Sequence, residues 1–207
     1  MKFLITMRFN SAVLGVVLYA AFLYSCAPLA PPNVSAVIAD AANTGIVTEA
    51  HTSVIAGFFY AGDTDLNKGL QMMLSFNLPS ISASGLVSAK IRVYHVACNG
   101  QPFSDLGSLL YEHIVPDYGL LMGDEYADPS TITATGTLIA GLPAGTTWIE
   151  KDVTVQVRSD LAAAKGCSQF RFYFPVVTDN DNAYDYPNFK NAVNSGVEKP
   201  ELVLEYR

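Results

Sequence analysis

The chain has 207 residues, of which 50% are hydrophobic, and it carries 12 Lys or Arg residues against 19 Asp or Glu residues. This length supplies one hydrophobic core and is short for two domains. The net charge of −7 disfavours nucleic acids and polyanionic glycans as partners, because both would be repelled, so a neutral or weakly charged ligand is the better expectation.

The first 25 residues predict an export signal. Lys2 and Arg8 precede an uncharged run at residues 11–23 (SAVLGVVLYAAFL), which has the length of a signal peptide rather than that of a spanning helix. The run leads into LYSC, so Cys26 resembles the acylated cysteine of a bacterial lipoprotein. An uncleaved N-terminal anchor is the alternative, because Tyr24 is bulkier than is usual in such a motif.

Cys26 and the signal together predict an exported protein that a lipid anchor holds in the cell envelope, at the outer membrane or the cell surface. Removal of the signal leaves 10 basic and 19 acidic residues, a net charge of −9. The next segment is rich in proline and small residues, which suits a tether. The predicted organisation is a lipoprotein-type signal peptide (1–25), a lipid-anchored tether (26–40) and one folded domain (41–207).

The predicted folded domain is dominated by the two-residue periodicity of β-strands. The clearest alternation occurs at residues 71–79 (QMMLSFNLP), 87–98 (VSAKIRVYHVAC), 168–176 (SQFRFYFPV) and 201–206 (ELVLEY). Weaker strand candidates lie at residues 46–49, 53–59, 108–115 and 131–139. Turn-forming residues separate these segments.

Residues 152–166 (DVTVQVRSDLAAAKG) have a different pattern. Val153, Val157 and Leu161 recur at four-residue intervals, the segment begins with an N-cap type of residue, and it stops at Lys165 and Gly166. This pattern predicts one short α-helix. With eight or nine short strands, it indicates an all-β fold, an antiparallel β-sandwich with jelly-roll-like connections.

Cys98 and Cys167 are the two cysteines beyond the predicted signal. Apart from His95, neither has the closely spaced Cys or His partners of a zinc site. In an exported protein, such a pair predicts a disulfide, here between strand ends that would be antiparallel neighbours. Two unpaired buried thiols are the alternative.

Several short motifs then follow one another along the domain. They are GDT (62–64), LSFNLP (74–79), VSAKIRVY (87–94), LGSL (106–109), DVTVQV (152–157), SQFRFYF (168–174), TDNDNAYDYPNF (178–189) and KPELVLEY (199–206). In this order they resemble the DNRLRE-type β-sandwich domains, which are related to carbohydrate-binding module family 96 and occur in exported bacterial and archaeal proteins. The resemblance implies a non-catalytic, polysaccharide-binding module, although a fold alone does not identify a ligand. The net charge disfavours alginate, an anionic glycan that related modules bind.

Catalytic residues are not predicted. His51, His95 and His113 are isolated in sequence, and the last two are expected to be buried strand histidines. No hydrolase motif occurs. Jelly-roll polysaccharide lyases are the enzymatic alternative, but residues 188–194 (NFKNAVN) match only Phe189 and Lys190 of a motif that resembles Y-F-K-x-G-x-Y, and both of its tyrosines are missing.

Residues 178–189 also suggest a metal site. Read from Asp179, they fail three of five positions of the EF-hand template. Asp179, Asp181 and Asp185 still provide hard oxygen ligands for a possible structural calcium, and no other cofactor is expected. The alternative is a solvated acidic turn in which Asp and Asn side chains cap their own backbone. Asp63 and Asp65 form a second, weaker acidic turn.

Sugar binding requires aromatic faces that stack on pyranose C–H groups beside planar polar side chains. Tyr184, Asp185 and Tyr186 supply this mixture in one predicted loop, and Trp148 and Tyr118 are further candidates. Alternatively, the two tyrosines fill the end of the sandwich and Trp148 packs under the helix. The sequence therefore favours a polysaccharide-binding surface lipoprotein, with a structural or adhesive envelope domain lacking a glycan ligand as the alternative.

Overall fold

The computed structural model describes residues 30–54, 57–115, 118–193 and 196–207. The predicted signal peptide and the predicted lipidation site at Cys26 lie outside these residues. Among the residues described, no helix is long and apolar enough to cross a membrane.

Two antiparallel sheets contain the strands of the described chain. In sequence order the strands are β1 (Asn33–Ile38), β2 (Gly45–Thr48), β3 (Ser53–Val54), β4 (Phe58–Tyr60), β5 (Gly62–Asp63), β6 (Gly69–Asn77), β7 (Leu86–Asn99), β8 (Leu109–His113), β9 (Gly136–Ile139), β10 (Thr147–Asp152), β11 (Cys167–Tyr173), β12 (Tyr186–Lys190) and β13 (Glu201–Tyr206). Sheet A has the order β1-β13-β7-β12-β4, and β10 also pairs with β7. Sheet B has the order β3-β2-β6-β11-β8-β9, and β5 also pairs with β6. The predicted antiparallel β-sandwich is confirmed.

Two α-helices lie in the described chain, α1 (Pro102–Asp105) and α2 (Thr154–Ala162). Helix α2 confirms the helix predicted from the four-residue spacing, since Val153 and Val157 are fully buried. Asp152 lies one position before the N-cap, and its Oδ1 accepts a hydrogen bond of 2.9 Å from the N–H of Thr154. That contact satisfies one of the donors that a helix start leaves without an intrahelical partner.

The core lies between the sheets and is built from the inward side chains of the strands with the clearest alternation. These include Met72, Leu74 and Phe76 of β6, Ala89, Ile91 and Val93 of β7, and Phe170 and Phe172 of β11, all of them 0% exposed. Each large apolar side chain buried in this way contributes about 1.5–3 kcal/mol. The inward faces predicted for these strands are therefore confirmed.

The outer face of sheet B is covered by residues 118–131. Gln71 and Met73, on the side of β6 that alternation alone would leave to solvent, are 1% and 0% exposed. Gln71 Nε2 donates to the carbonyl oxygen of Ala127 (2.5 Å), and Arg171 Nη2 donates to that of Glu125 (2.8 Å). Among the described residues, the outer face of sheet A is more open, since Lys90 is exposed and Arg92 and Tyr94 are half-buried.

The boundary predicted at residue 40 between tether and domain is wrong. Strand β1 pairs along its whole length with β13, from Asn33 opposite Tyr206 to Ile38 opposite Glu201. The folded unit begins at Pro32. A segment with proline before it and small residues within it still forms a strand here, because β13 offers it a complete hydrogen-bonding edge.

The predicted Cys98–Cys167 disulfide is absent from the described structure. Cys98 lies in β7 of sheet A opposite Pro187, whereas Cys167 lies in β11 of sheet B opposite Asn77. The two strands are thus not neighbours, which removes the premise of the prediction. Cys98 Sγ lies 3.4 Å from His95 Nε2, and burial raises the pKa of its thiol.

Candidate functional site

Three loops meet at one end of the sandwich, at residues 61–68, 99–106 and 178–186, and we call this region the three-loop end. Asp63 and Asp185 exchange two backbone hydrogen bonds of 3.0 and 3.4 Å. Asn67 and Asn182 are joined by two hydrogen bonds that involve their side chains. Asn67 Nδ2 donates to Asn182 Oδ1 (3.1 Å), and Asn182 N donates to Asn67 Oδ1 (3.0 Å). The backbone N–H of Gln101 donates to Asp185 Oδ1. The loops therefore form one connected structure.

The fold of the 178–186 loop follows from its Asp and Asn content. Asp179 Oδ1 accepts from the N–H of Asp181 (3.1 Å), and Asp181 Oδ1 accepts from that of Ala183 (2.7 Å). Asn180 and Asn182 adopt φ of 65° and 63°, a left-handed conformation that asparagine tolerates better than most residues. The self-capping turn considered for this sequence is therefore present.

A cluster of carboxylates lies at this end. Oxygen atoms of Asp105, Asp179 and Asp185 all lie within 4.8 Å of one another. Asp185 is 1% exposed, and burial raises its pKa, as do Asp181, Asp179 and Asp105, against the lowering effect of the Gln101 N–H. Of the three predicted metal ligands, Asp179 and Asp185 belong to this group, whereas the Asp181 carboxylate lies outside it, near enough for its charge to raise the Asp185 pKa.

Asp63 adds a fourth carboxylate that is completely buried. Burial raises its pKa, the Thr178 side chain and the Asp185 backbone N–H lower it, and the charges of Asp185 and Asp179 raise it. Within the described chain, neither carboxylate oxygen of Asp63 has a hydrogen bond partner in acceptable geometry. The sequence had marked Asp63 only as part of a weaker acidic turn, and it offered no reason to consider Asp105.

A group of three tyrosines, the Tyr cluster, lies beside the carboxylates. The rings of Tyr60 and Tyr186 stack with centroids 4.6 Å apart and an interplanar angle of 23°. Tyr184 meets Tyr186 edge-on at 5.7 Å and 74°, and it is 46% exposed. A hydrogen bond to Asp65 raises the pKa of Tyr184. Tyr60 and Tyr186 also pack against the core, so Tyr184 is the most exposed of the three.

The sequence matches no protein-family model and no curated protein. The resemblance to DNRLRE-type domains stays a prediction for that reason.

Trp148 and Tyr118 lie away from the Tyr cluster. Trp148 is in β10 opposite Tyr94, and Arg92 Cζ lies 4.4 Å from the centre of its ring. Tyr186 is opposite Asn99, five residues further along β7 and roughly 16 Å away at 3.3 Å per residue. Tyr118 packs on sheet B, where its hydroxyl donates to the carbonyl oxygen of Asn43. Neither residue joins the site that Tyr184 and Tyr186 form.

A buried polar network, which the sequence did not suggest, links helix α2 to sheet B. Asp160 Oδ2 lies 2.7 Å from His113 Nε2 and accepts a hydrogen bond of 2.6 Å from Ser168 Oγ. Asp160 Oδ1 lies 3.2 Å from Lys165 Nζ. Serine, histidine and aspartate are also the residue types of a catalytic triad. In a triad, however, the histidine lies between the serine and the carboxylate, whereas here the carboxylate lies between the serine and the histidine. Asp160 and Ser168 are also 1% and 0% exposed, so this network serves packing.

Proposed function

We propose that the protein is a non-catalytic cell-envelope lipoprotein whose β-sandwich binds a neutral or weakly charged polysaccharide at the Tyr cluster. The observation that supports this is the exposed ring of Tyr184 beside the stacked pair of Tyr60 and Tyr186. Aromatic faces pack well against the apolar C–H faces of sugar rings, and phenolic hydroxyls provide a polar edge for the sugar hydroxyls.

Polar side chains adjoin these rings. Asp65 contacts Tyr184, and Asn67 and Asn182 pair across the neighbouring loops. Carboxylates and amides are planar groups with the donors and acceptors that sugar hydroxyls require. The acidic character of the end favours an uncharged glycan, because an anionic one would meet nearby carboxylates.

The shape of the region favours a chain rather than a small molecule. Next to the carboxylates, residues 100–104 and Leu142 line an open hollow of about 130 Å³. Small-molecule sites usually enclose about 300–1,000 Å³. Phe58, which is 39% exposed on the neighbouring strand β4, extends the aromatic surface beyond the Tyr cluster. An extended polymer could therefore lie across the surface without entering a cavity.

Affinity electrophoresis in gels containing neutral polysaccharides tests the proposal. Tyr184→Ala removes the exposed ring and should weaken binding by about 1–2 kcal/mol, or about 5–30-fold. Tyr184→Phe is the matched variant, because it keeps the ring and removes only the hydroxyl, and it should retain most of the affinity. Trp148→Ala should bind as the wild type does.

Retardation by none of the glycans would refute the proposal, as would equal binding by wild type and Tyr184→Ala. Loss of binding in Trp148→Ala with retention in Tyr184→Ala would place the ligand on the outer face of sheet A around Arg92. Melting temperatures measured on each variant separate loss of the site from loss of the fold.

A structural or adhesive envelope domain is the second candidate, and strand β1 favours it. This strand lies at the edge of sheet A and carries Val34 and Ile38, which are 65% and 44% exposed. Exposed edge strands with apolar side chains are sites of strand-to-strand association. Concentration-dependent self-association that Ile38→Lys abolishes, without any glycan binding, would support this candidate.

A further inference from the structure

Asp63 is an unusual residue for the interior of a protein. Its side chain is 0% exposed, and neither carboxylate oxygen has a hydrogen bond of good geometry within the described chain, although the Thr178 side chain and the Asp185 backbone lie close enough to lower its pKa. Buried carboxylates are normally paired with a cation or bound to a metal, because an isolated buried charge is strongly disfavoured. The position of Asp63 therefore indicates a ligand.

The other carboxylates of the three-loop end lie where such a ligand would be. Asp63 and Asp185 are directly opposite each other in an antiparallel bridge, an arrangement that places both side chains on the same side. Carboxylate oxygens of Asp185, Asp105 and Asp179 in turn lie within 4.8 Å of one another. Asp63 thus lies beside a group of three carboxylates, outside the set whose oxygens are all within 4.8 Å of one another, and would join them as a fourth ligand.

This cluster has no basic partner among the residues that the structure describes. Across the described parts of the chain, no Lys, Arg or His forms an ion pair with Asp63, Asp105, Asp179 or Asp185. The charged groups with the largest effects on the pKa values of Asp63 and Asp185 are other carboxylates, and within the described chain only hydrogen bonds, from Thr178, the Asp185 backbone and Gln101, oppose their mutual repulsion.

We propose that the three-loop end binds one divalent cation, with a preference for Ca²⁺, through the carboxylates of Asp63, Asp105, Asp179 and Asp185. Ca²⁺ takes six to eight oxygen ligands in irregular geometry, whereas Mg²⁺ requires near-ideal octahedral geometry and retains more water. Zn²⁺ prefers nitrogen and sulfur ligands, which this group lacks. The exposure of Asp105 and Asp179 gives the ion an entry path.

Each of the three loops contributes a ligand to this site. Asp63 comes from residues 61–68, Asp105 from the end of α1, and Asp179 and Asp185 from residues 178–186. The ion therefore fixes the loops relative to one another. It also positions Tyr184, which precedes Asp185 in the chain. This site does not depend on the identity of any glycan.

Calorimetric titration of the EDTA-treated protein with CaCl₂ or MgCl₂, together with melting curves, tests the proposal. Calcium should bind with one-to-one stoichiometry and raise the melting temperature, and magnesium should bind at least tenfold more weakly. Asp63→Asn and Asp179→Asn should each weaken calcium binding at least tenfold. Asp181→Asn is the matched control from the same loop, since Asp181 also caps the loop backbone but lies outside the close carboxylate group, and it should keep its calcium affinity within about threefold.

Tb³⁺ luminescence excited through tyrosine provides a second measurement, because Tyr184 and Tyr186 adjoin the site. Asp179→Asn is the safer variant if Asp63→Asn does not fold, since Asp179 is exposed. The proposal is overturned if calcium produces neither heat nor a shift in melting temperature, which is the result expected if Asp63 is simply protonated. A loss in Asp181→Asn as large as that in Asp179→Asn would also overturn the proposed ligand set.

Discussion

Replacement of Asp160 by asparagine should destabilise the sandwich by about 3–5 kcal/mol, the usual effect of removing one partner from a buried ion pair. The Asp160 side chain is 1% exposed and contacts His113, Lys165 and Ser168 at 2.7, 3.2 and 2.6 Å. Asparagine has nearly the same size, but it is uncharged. Its NH₂ group would also face one of the donors that now point at Asp160, so that hydrogen bond would be lost. At about 2–4 °C per kcal/mol for a domain of this size, the melting temperature should fall by about 6–20 °C.

The same variant should change the acid sensitivity of the protein. Burial raises the pKa of Asp160, but hydrogen bonds from His113 and Ser168 and the positive charges of His113 and Lys165 outweigh that effect and leave the pKa lowered. A carboxyl group with a lowered pKa in the folded state contributes its full stability above its unfolded pKa of about 3.9. That contribution is lost as the pH falls through the folded pKa, and Asp160→Asn should lack this part of the pH dependence.

Urea unfolding followed by circular dichroism, at pH 7 and at several values between pH 5 and pH 3, measures both effects. Asp124→Asn is the control, because it removes the same charge from an exposed position in the segment that covers sheet B. An unfolding midpoint equal to that of the wild type at pH 7 would refute the assigned role of Asp160. An unchanged acid slope in Asp160→Asn would refute the explanation of its pKa.

Three further outcomes are expected. Gly100→Ala should destabilise the protein by at least about 1 kcal/mol in thermal melts, because Gly100 has φ of 59° and an added Cβ would collide with the Asp185 carboxylate, whereas Gly141→Ala meets no such contact and should be neutral. Dithiothreitol should leave the melting temperature unchanged, and thiol titration of the unfolded protein should detect both Cys98 and Cys167; a reductant-dependent loss of stability would restore the disulfide prediction. Incubation with neutral and uronate-containing polysaccharides should yield no absorbance from unsaturated products, and its appearance would contradict the non-catalytic proposal.

The sandwich was predictable where one face of a strand is buried. Strands β6, β7, β11 and β13 alternate apolar and polar side chains because each contributes its inward face to one core. The same alternation was misleading for the outward face of β6, since residues 118–131 cover it and have no regular periodicity of their own. Coverage by an irregular segment depends on tertiary contacts that a local pattern does not contain.

The three-loop end was predictable only in part. The 178–186 loop was recognisable from its own residues, but its partner Asn67 is 115 residues away from Asn182. Asp63 and Asp105 each lie among turn-forming residues and read as ordinary surface turns when taken singly. Asp63 and Asp105 come close to Asp185 through two tertiary contacts, the bridge between Asp63 and Asp185 and the hydrogen bond between Gln101 and Asp185. Both contacts depend on how the strands are ordered in the sheets, which a local sequence pattern does not show.

The pairing of the first and last strands of the domain determines how it would respond to mechanical force. Asn33 and Tyr206 are opposite each other at one end of the β1–β13 ladder. A force that pulls these two residues apart would act on one inter-strand residue pair at a time, starting from this end. The strands would therefore separate pair by pair rather than slide along each other. Such a domain should extend at low force when it is pulled between these points.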